Sequence, residues 1–108
     1  MTLDERSIGQ AVQRGEYELS WHADEERLND HLTIEDIEAV LQSCEILERY
    51  PQDPRGESCL VLGFCGGRPV HIVCGSTRQG KLFLITVYIP GEPKWKDPRT
   101  RRLNKGTP

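Results

Sequence analysis

His71 stands in the middle of an apolar run, Pro69-Val70-His71-Ile72-Val73-Cys74. Imidazole exchanges protons near neutral pH, which makes histidine the usual proton carrier in catalysis. A polar ring inside such a run also costs free energy unless something bonds it. His71 is therefore either an acid/base group or a core histidine bonded to a backbone carbonyl or to Tyr88. Tyr88 ends a second apolar run, just before Pro90. In an extended strand Thr86 and Tyr88 share one face, and Ile85 and Val87 the other. If His71 pairs across from the first face, His71, Thr86 and Tyr88 form a polar strip. Tyr88 would then partner His71 or donate to a phosphate; otherwise it is an edge aromatic with a wet hydroxyl. His22 is a further candidate acid or base. It shares a helix face with Glu26, four residues on. Its alternative role is capping or packing at a helix start.

Cations interleaved with an aromatic form a second group. Lys94-Trp95-Lys96 and Arg99-Thr100-Arg101-Arg102 suit nucleic acid, because cations meet phosphates and a ring stacks on a base. Arg68, Lys94, Arg99, Arg101 and Arg102 are the candidate phosphate ligands, with Trp95 as the stacking platform. The other reading of Trp95 is a hydrophobic anchor folded back from a basic tail. His22, Glu26 and His31 are the one conceivable metal set, but no HExxH spacing exists. Cys44, Cys59, Cys65 and Cys74 contain no CxxC pair. There is no nucleophile elbow, Walker loop or dinucleotide fingerprint. The expectation is a site without metal or cofactor, in which Gly63, Gly66 and Gly67 serve turns.

The elements that would position these groups come in two periods. Helices are expected over 4–15, 21–30 and 33–43. Ile8, Ala11 and Val12 mark the first. Trp21, Glu25, Leu28 and Leu32 lie near one side of the second. In the third, Thr33 caps with Asp36 as its capping-box partner, and Ile34, Ile37, Val40 and Leu41 form an apolar stripe. Strands follow at 45–50, 59–65, 69–74 and 81–89. Gly66-Gly67 makes a hairpin turn of the primed type. Residues 17–20 could add a short strand. Short connections imply an antiparallel meander. The expected fold is thus α+β, with N-terminal helices on one face of a four-stranded antiparallel sheet. Residues 1–16 would be a helical extension, 17–102 one domain, and 103–108 a loose basic tail.

The 108 residues suit one core. No apolar run approaches the roughly 20 residues that span a bilayer, and no secretory signal is evident. A reducing cytoplasm is the expected compartment. Charge is unevenly spread. Residues 1–58 hold 15 acids and 5 bases, a net of −10, whereas residues 59–108 hold 2 acids and 9 bases, a net of +7. The basic half could bind a polyanion, or the acidic helices could neutralise it within the chain.

An ordered series of motifs runs through the chain. It comprises Trp21-His22-Ala23, Leu32-Thr33-Ile34-Glu35-Asp36-Ile37, Ile46-Leu47-Glu48-Arg49-Tyr50-Pro51, Ser58-Cys59-Leu60-Val61-Leu62-Gly63, Arg68-Pro69-Val70-His71-Ile72-Val73 and Ile85-Thr86-Val87-Tyr88-Ile89-Pro90, with Trp95 and Arg101-Arg102. The series resembles the uncharacterised family catalogued as domain of unknown function 4258, over about residues 17–102. The resemblance implies a small prokaryotic cytoplasmic protein, often encoded beside an antitoxin-like protein. The helices-then-meander order is similar to RelE/ParE-like and BrnT-like toxins, which cleave RNA without a metal. By that analogy RNA, free or ribosome-bound, and an antitoxin-like protein are the expected partners. His71 would be base or acid, Tyr88 its partner, His22 a second acid/base, and Arg68, Arg101 and Arg102 phosphate ligands. The rival reading is a non-catalytic protein-interaction module.

Overall fold

A computed structural model describes residues 2–102. The basic tail expected at 103–108 lies outside the described residues. Three helices precede the main sheet: α1 (Glu5–Gln13), α2 (Trp21–Asn29) and α3 (Ile34–Gln42). Each begins at a side-chain cap that accepts from a backbone N–H: Asp4, Ser20 and Thr33. Thr33 and Asp36 form the expected reciprocal capping box. The cap of α2 is Ser20, so His22 has no capping role. His31 adopts φ 59°, and backbone bonds from His31 to Leu28 and from Leu32 to Arg27 close α2 in a Schellman motif.

The strands are β1 (Tyr17–Leu19), β2 (Glu45–Tyr50), β3 (Ser58–Cys65), β4 (Arg68–Ser76) and β5 (Leu82–Tyr88). They form one sheet in the order β1-β5-β4-β3-β2. The antiparallel meander β2 to β5 is as expected. The sheet has five strands rather than four, however, and is mixed, because β1 pairs parallel with β5. The parallel pairing follows from α2 and α3, which separate β1 from the meander and let the chain re-enter beside its last strand. Two further strands, β6 (Trp95–Asp97) and β7 (Thr100–Arg101), make a separate ribbon that the sequence pattern did not reveal.

The sheet is buried on its helix face and partly covered on the other. On one, Cys59, Val61, Val70, Ile72, Cys74, Leu82, Leu84 and Val87 meet the helices. α2 lies against β5, α3 against β3, and α1 against α3. Leu3, Ile8, Ala11 and Val12 enter this same core, so the N-terminal segment is an integral part of it. The second helix presents Ala23 to the core, while Trp21 and Leu28 are 78% and 56% exposed. The expected Trp21–Leu28 side therefore faces water. On the opposite face, the register sets Leu62 beside His71 and His71 beside Tyr88. Leu60, Leu62 and His71 are buried there, with Trp95 against the His71 ring.

Two glycine expectations resolve differently. Gly66 and Gly67 have φ 55° and 81°, the pair of left-handed residues that a primed two-residue hairpin requires. Gly63 serves no turn. It lies inside β3, where a Cβ would sit 2.2 Å from the Val40 carbonyl oxygen. Its missing side chain lets α3 approach the sheet directly. Gly63→Ala is expected to destabilise the protein by about 3 kcal/mol, the upper end of ordinary overpacking, because backbone must move. Urea denaturation midpoints at constant m would read this loss.

Candidate functional site

The outer edge of β5 is shared between two neighbours. Up to Leu84 it pairs with β1. Beyond that point the start of α2 takes over. Ser20 N–H donates to the Leu84 carbonyl at 2.9 Å, and the Ser20 hydroxyl donates to the Ile85 carbonyl at 2.8 Å. Six residues along, Val87 N–H donates to Glu26 Oε1 at 2.9 Å. These bonds clamp α2 to the strand edge and bring His22 and Glu26 beside Thr86 and Tyr88. From the other side, the β6–β7 ribbon folds over the sheet and contributes Lys94, Trp95 and Arg101. The result is a cleft of about 420 Å³ lined by His22, Glu26, Thr86, Tyr88, Lys94, Trp95 and Arg101.

His71 lies behind Tyr88. It is fully buried, and both ring nitrogens are engaged. Nε2 is 2.7 Å from the Pro98 carbonyl oxygen, and Nδ1 is 3.0 Å from the Tyr88 hydroxyl. A carbonyl only accepts, so Nε2 carries the proton of the neutral ring. Nδ1 must then accept from Tyr88. The Trp95 ring meets the imidazole edge-on, at 4.4 Å between centroids and 86° between planes. Burial pushes the His71 pKa down, against the opposing pull of the Pro98 carbonyl and the Glu48 charge. Burial also raises the Tyr88 pKa, with the Arg101 charge acting the other way. The core-histidine reading of His71, with Tyr88 and a carbonyl as partners, thus describes its surroundings.

At the cleft mouth His22 is exposed, with Nε2 3.3 Å from Glu26 Oε2. Since Glu26 Oε1 is held by Val87 N–H, this carboxylate fixes where the imidazole sits. Arg101 lies over the Trp95 ring at 4.6 Å and forks onto Glu48, with contacts of 2.9 and 3.1 Å. Its hydrogen bonds hold the Glu48 carboxyl below the usual carboxylate range, helped by the Tyr50 hydroxyl. Among the described residues Lys94 has no ion-pair partner.

The cleft gathers His22, Tyr88, Lys94, Trp95 and Arg101, with His71 one layer in. It does not gather the rest. Arg99 bonds Glu45, and Arg102 bonds Glu92. Arg68 pairs across from Cys65 at the hairpin end of the sheet, where its charge acts on Asp36 and Cys65. Trp95 is only 3% exposed, with Arg101 across its ring. A base therefore has no open face to stack on, and the anchor reading replaces the platform. His31 ends α2 as a backbone cap, away from the cleft lining. The four-residue spacing that put Glu26 on the His22 face is realised as the contact that anchors His22, but sequence reasoning missed the Tyr50 hydroxyl beside Glu48. It also missed Glu48 and Pro98, which carried no signal.

Fold and site together define a small α+β protein. Its five-stranded sheet carries a helix-clamped cleft at the β5 edge and a buried His–Tyr pair behind it. The chain belongs to the family described as Domain of unknown function (DUF4258), which matches residues 19–89. The matched region holds His22, Glu26, His71, Thr86 and Tyr88, whereas Lys94, Trp95 and Arg101 lie beyond it. No curated protein and no solved structure matches the chain.

The depressed His71 pKa carries a stability consequence. The unfolded imidazole takes up a proton near pH 6.5, while the folded one does so only at lower pH. This contribution is fully present above the unfolded value and is lost as pH falls through the folded one. Urea midpoints of the wild type should therefore drop as pH falls below 6.5 more than those of His71→Asn.

Proposed function

We propose that the cleft cleaves RNA without needing a metal, and that the protein is the toxin-like member of a pair with a small antitoxin-like protein in the cytoplasm. One observation carries this reading: His22 and Tyr88, which can move protons, share a cleft with the cations Lys94 and Arg101. Cleavage through the ribose 2′-hydroxyl needs a base for that proton, an acid for the leaving 5′-oxygen, and positive charge beside the phosphate. Tyr88 and His22 can fill the proton roles, and Lys94 and Arg101 the electrostatic one. The helices-then-meander order, similar to RelE/ParE-like toxins, supports the reading by analogy of fold.

A second reading has its own observation. Trp21 and Leu28 are large, exposed and seven residues apart, so they share the outer side of α2. An exposed tryptophan of this kind suits a protein contact. In that reading the protein is a non-catalytic interaction module, and the paired arginines are structural.

The test is incubation of the pure protein with defined RNA, free and ribosome-bound, in the presence of EDTA. Cleavage is expected to survive the chelator. Tyr88→Phe and His22→Ala should each slow it by about 10²–10⁴-fold, the usual effect of losing a positioned proton-transfer group. If neither form of RNA is cut, the catalytic reading fails and the interaction module replaces it.

A further inference from the structure

We propose that His71, although sealed from solvent, accepts a proton from Tyr88 during the reaction, so that Tyr88, His71 and the Pro98 carbonyl act as one relay. This rests on the cleavage reading and assigns its base. Three features carry it. Tyr88 belongs both to the cleft lining and to the His71 hydrogen bond, so it connects the two spaces. The Pro98 carbonyl fixes the tautomer, leaving Nδ1 with its lone pair aimed at the Tyr88 oxygen. The charged groups that face the ring are Glu48 from β2 and Arg101 from β7, and they are bonded to each other. They leave the imidazole in a nearly balanced field, with one carboxylate near enough to steady a transient positive charge.

The step balances as follows. The 2′-hydroxyl O–H bond breaks, and its proton passes to the Tyr88 oxygen while the Tyr88 proton passes to His71 Nδ1. The freed 2′-oxygen electron pair attacks phosphorus, and the bond from phosphorus to the 5′-oxygen breaks. The leaving oxygen takes a proton from the His22 imidazolium. The products are a 2′,3′-cyclic phosphate and a 5′-hydroxyl. His71 ends as imidazolium and His22 as neutral imidazole, and proton exchange with water through Tyr88 and at the cleft mouth resets both. Tyr88 never becomes a free phenolate, which is what a phenol needs to serve as a base near neutral pH. His71 touches no substrate in this scheme and is a positioning residue that works through Tyr88.

The experiment uses the full chain and has three readouts. The first is ¹⁵N NMR of the histidine rings, where His71 should show the neutral Nε2–H tautomer; a proton on Nδ1 would overturn the relay. The second is RNA cleavage by His71→Asn, whose amide oxygen can still accept from Tyr88 but cannot take its proton. Its rate should fall about 100-fold or more, and what remains should climb with pH, because Tyr88 must then lose its proton to hydroxide. The third is the double variant His71→Asn/Tyr88→Phe. It should be no slower than Tyr88→Phe alone, since residues acting as a unit are non-additive. Wild type that cuts RNA while His71→Asn cuts equally fast, with an unchanged pH profile, overturns the relay and leaves the cleavage reading standing. Wild type that cuts no RNA at all overturns the cleavage reading and the relay with it.

Discussion

An imidazole sealed from water loses its hydration at two nitrogens, and each one left without a partner costs about 1–3 kcal/mol. His71 is in that position on the second face of the sheet, and its surroundings are arranged to meet the demand. One partner, Tyr88, comes from the adjacent strand at the directly paired position. The other, the Pro98 carbonyl, belongs to the turn between β6 and β7. The ribbon can supply that carbonyl only by folding flat over the sheet, which places Trp95 against the imidazole and completes the burial. Burial of the ring and placement of the ribbon are therefore mutually required. The cleft is a consequence, since its far wall is this same ribbon.

The near wall depends on a different constraint. A three-residue β1 covers only the first half of the β5 edge, which leaves the backbone groups of Ile85 and Val87 to be satisfied. The Ser20 hydroxyl and the Glu26 carboxylate bond them, so the helix end substitutes for a strand. A bulge in β5 near this handover shifts the pairing with β4 by one residue. A Cβ at Gly75 would meet Ile85 Cδ1 at 3.3 Å, which places Ile85 over the sheet rather than opposite Thr86 as simple alternation requires. Edge, bulge and helix clamp coincide beside the cleft that holds His22 and Tyr88.

Period and punctuation made much of this legible. The capping box at Thr33, the glycine pair at the hairpin and the apolar strands each carry local signals, and each element stands within a few residues of its expected position. The pairing of β1 with β5 joins residues 17 and 82 and has no local signature. The β6–β7 ribbon is too short and polar to show alternation. His71 and Tyr88 were visible as candidates because polar groups interrupt apolar runs, yet which of them faces the cleft depends on register. Gly63 looked like a turn residue because the close approach of Val40 is a tertiary fact. The role of Trp95 likewise turned on burial, which composition around it does not reveal.

The charge asymmetry of the sequence has a similar fate. The basic C-terminal segment does not stand apart from the acidic half, because Arg99 and Arg101 bond Glu45 and Glu48 on β2. Such partly exposed pairs contribute only about 0–1 kcal/mol each. They hold the ribbon in register more than they stabilise it. The same weakness bears on function. On the proposed cleavage reading, a phosphate in the cleft would offer Arg101 the same fork geometry as the Glu48 carboxylate. The Trp95 ring beneath Arg101 holds the guanidinium in place on its other side. The buried tryptophan, excluded as a stacking platform, thereby serves the cleft by fixing the cation that sits on it.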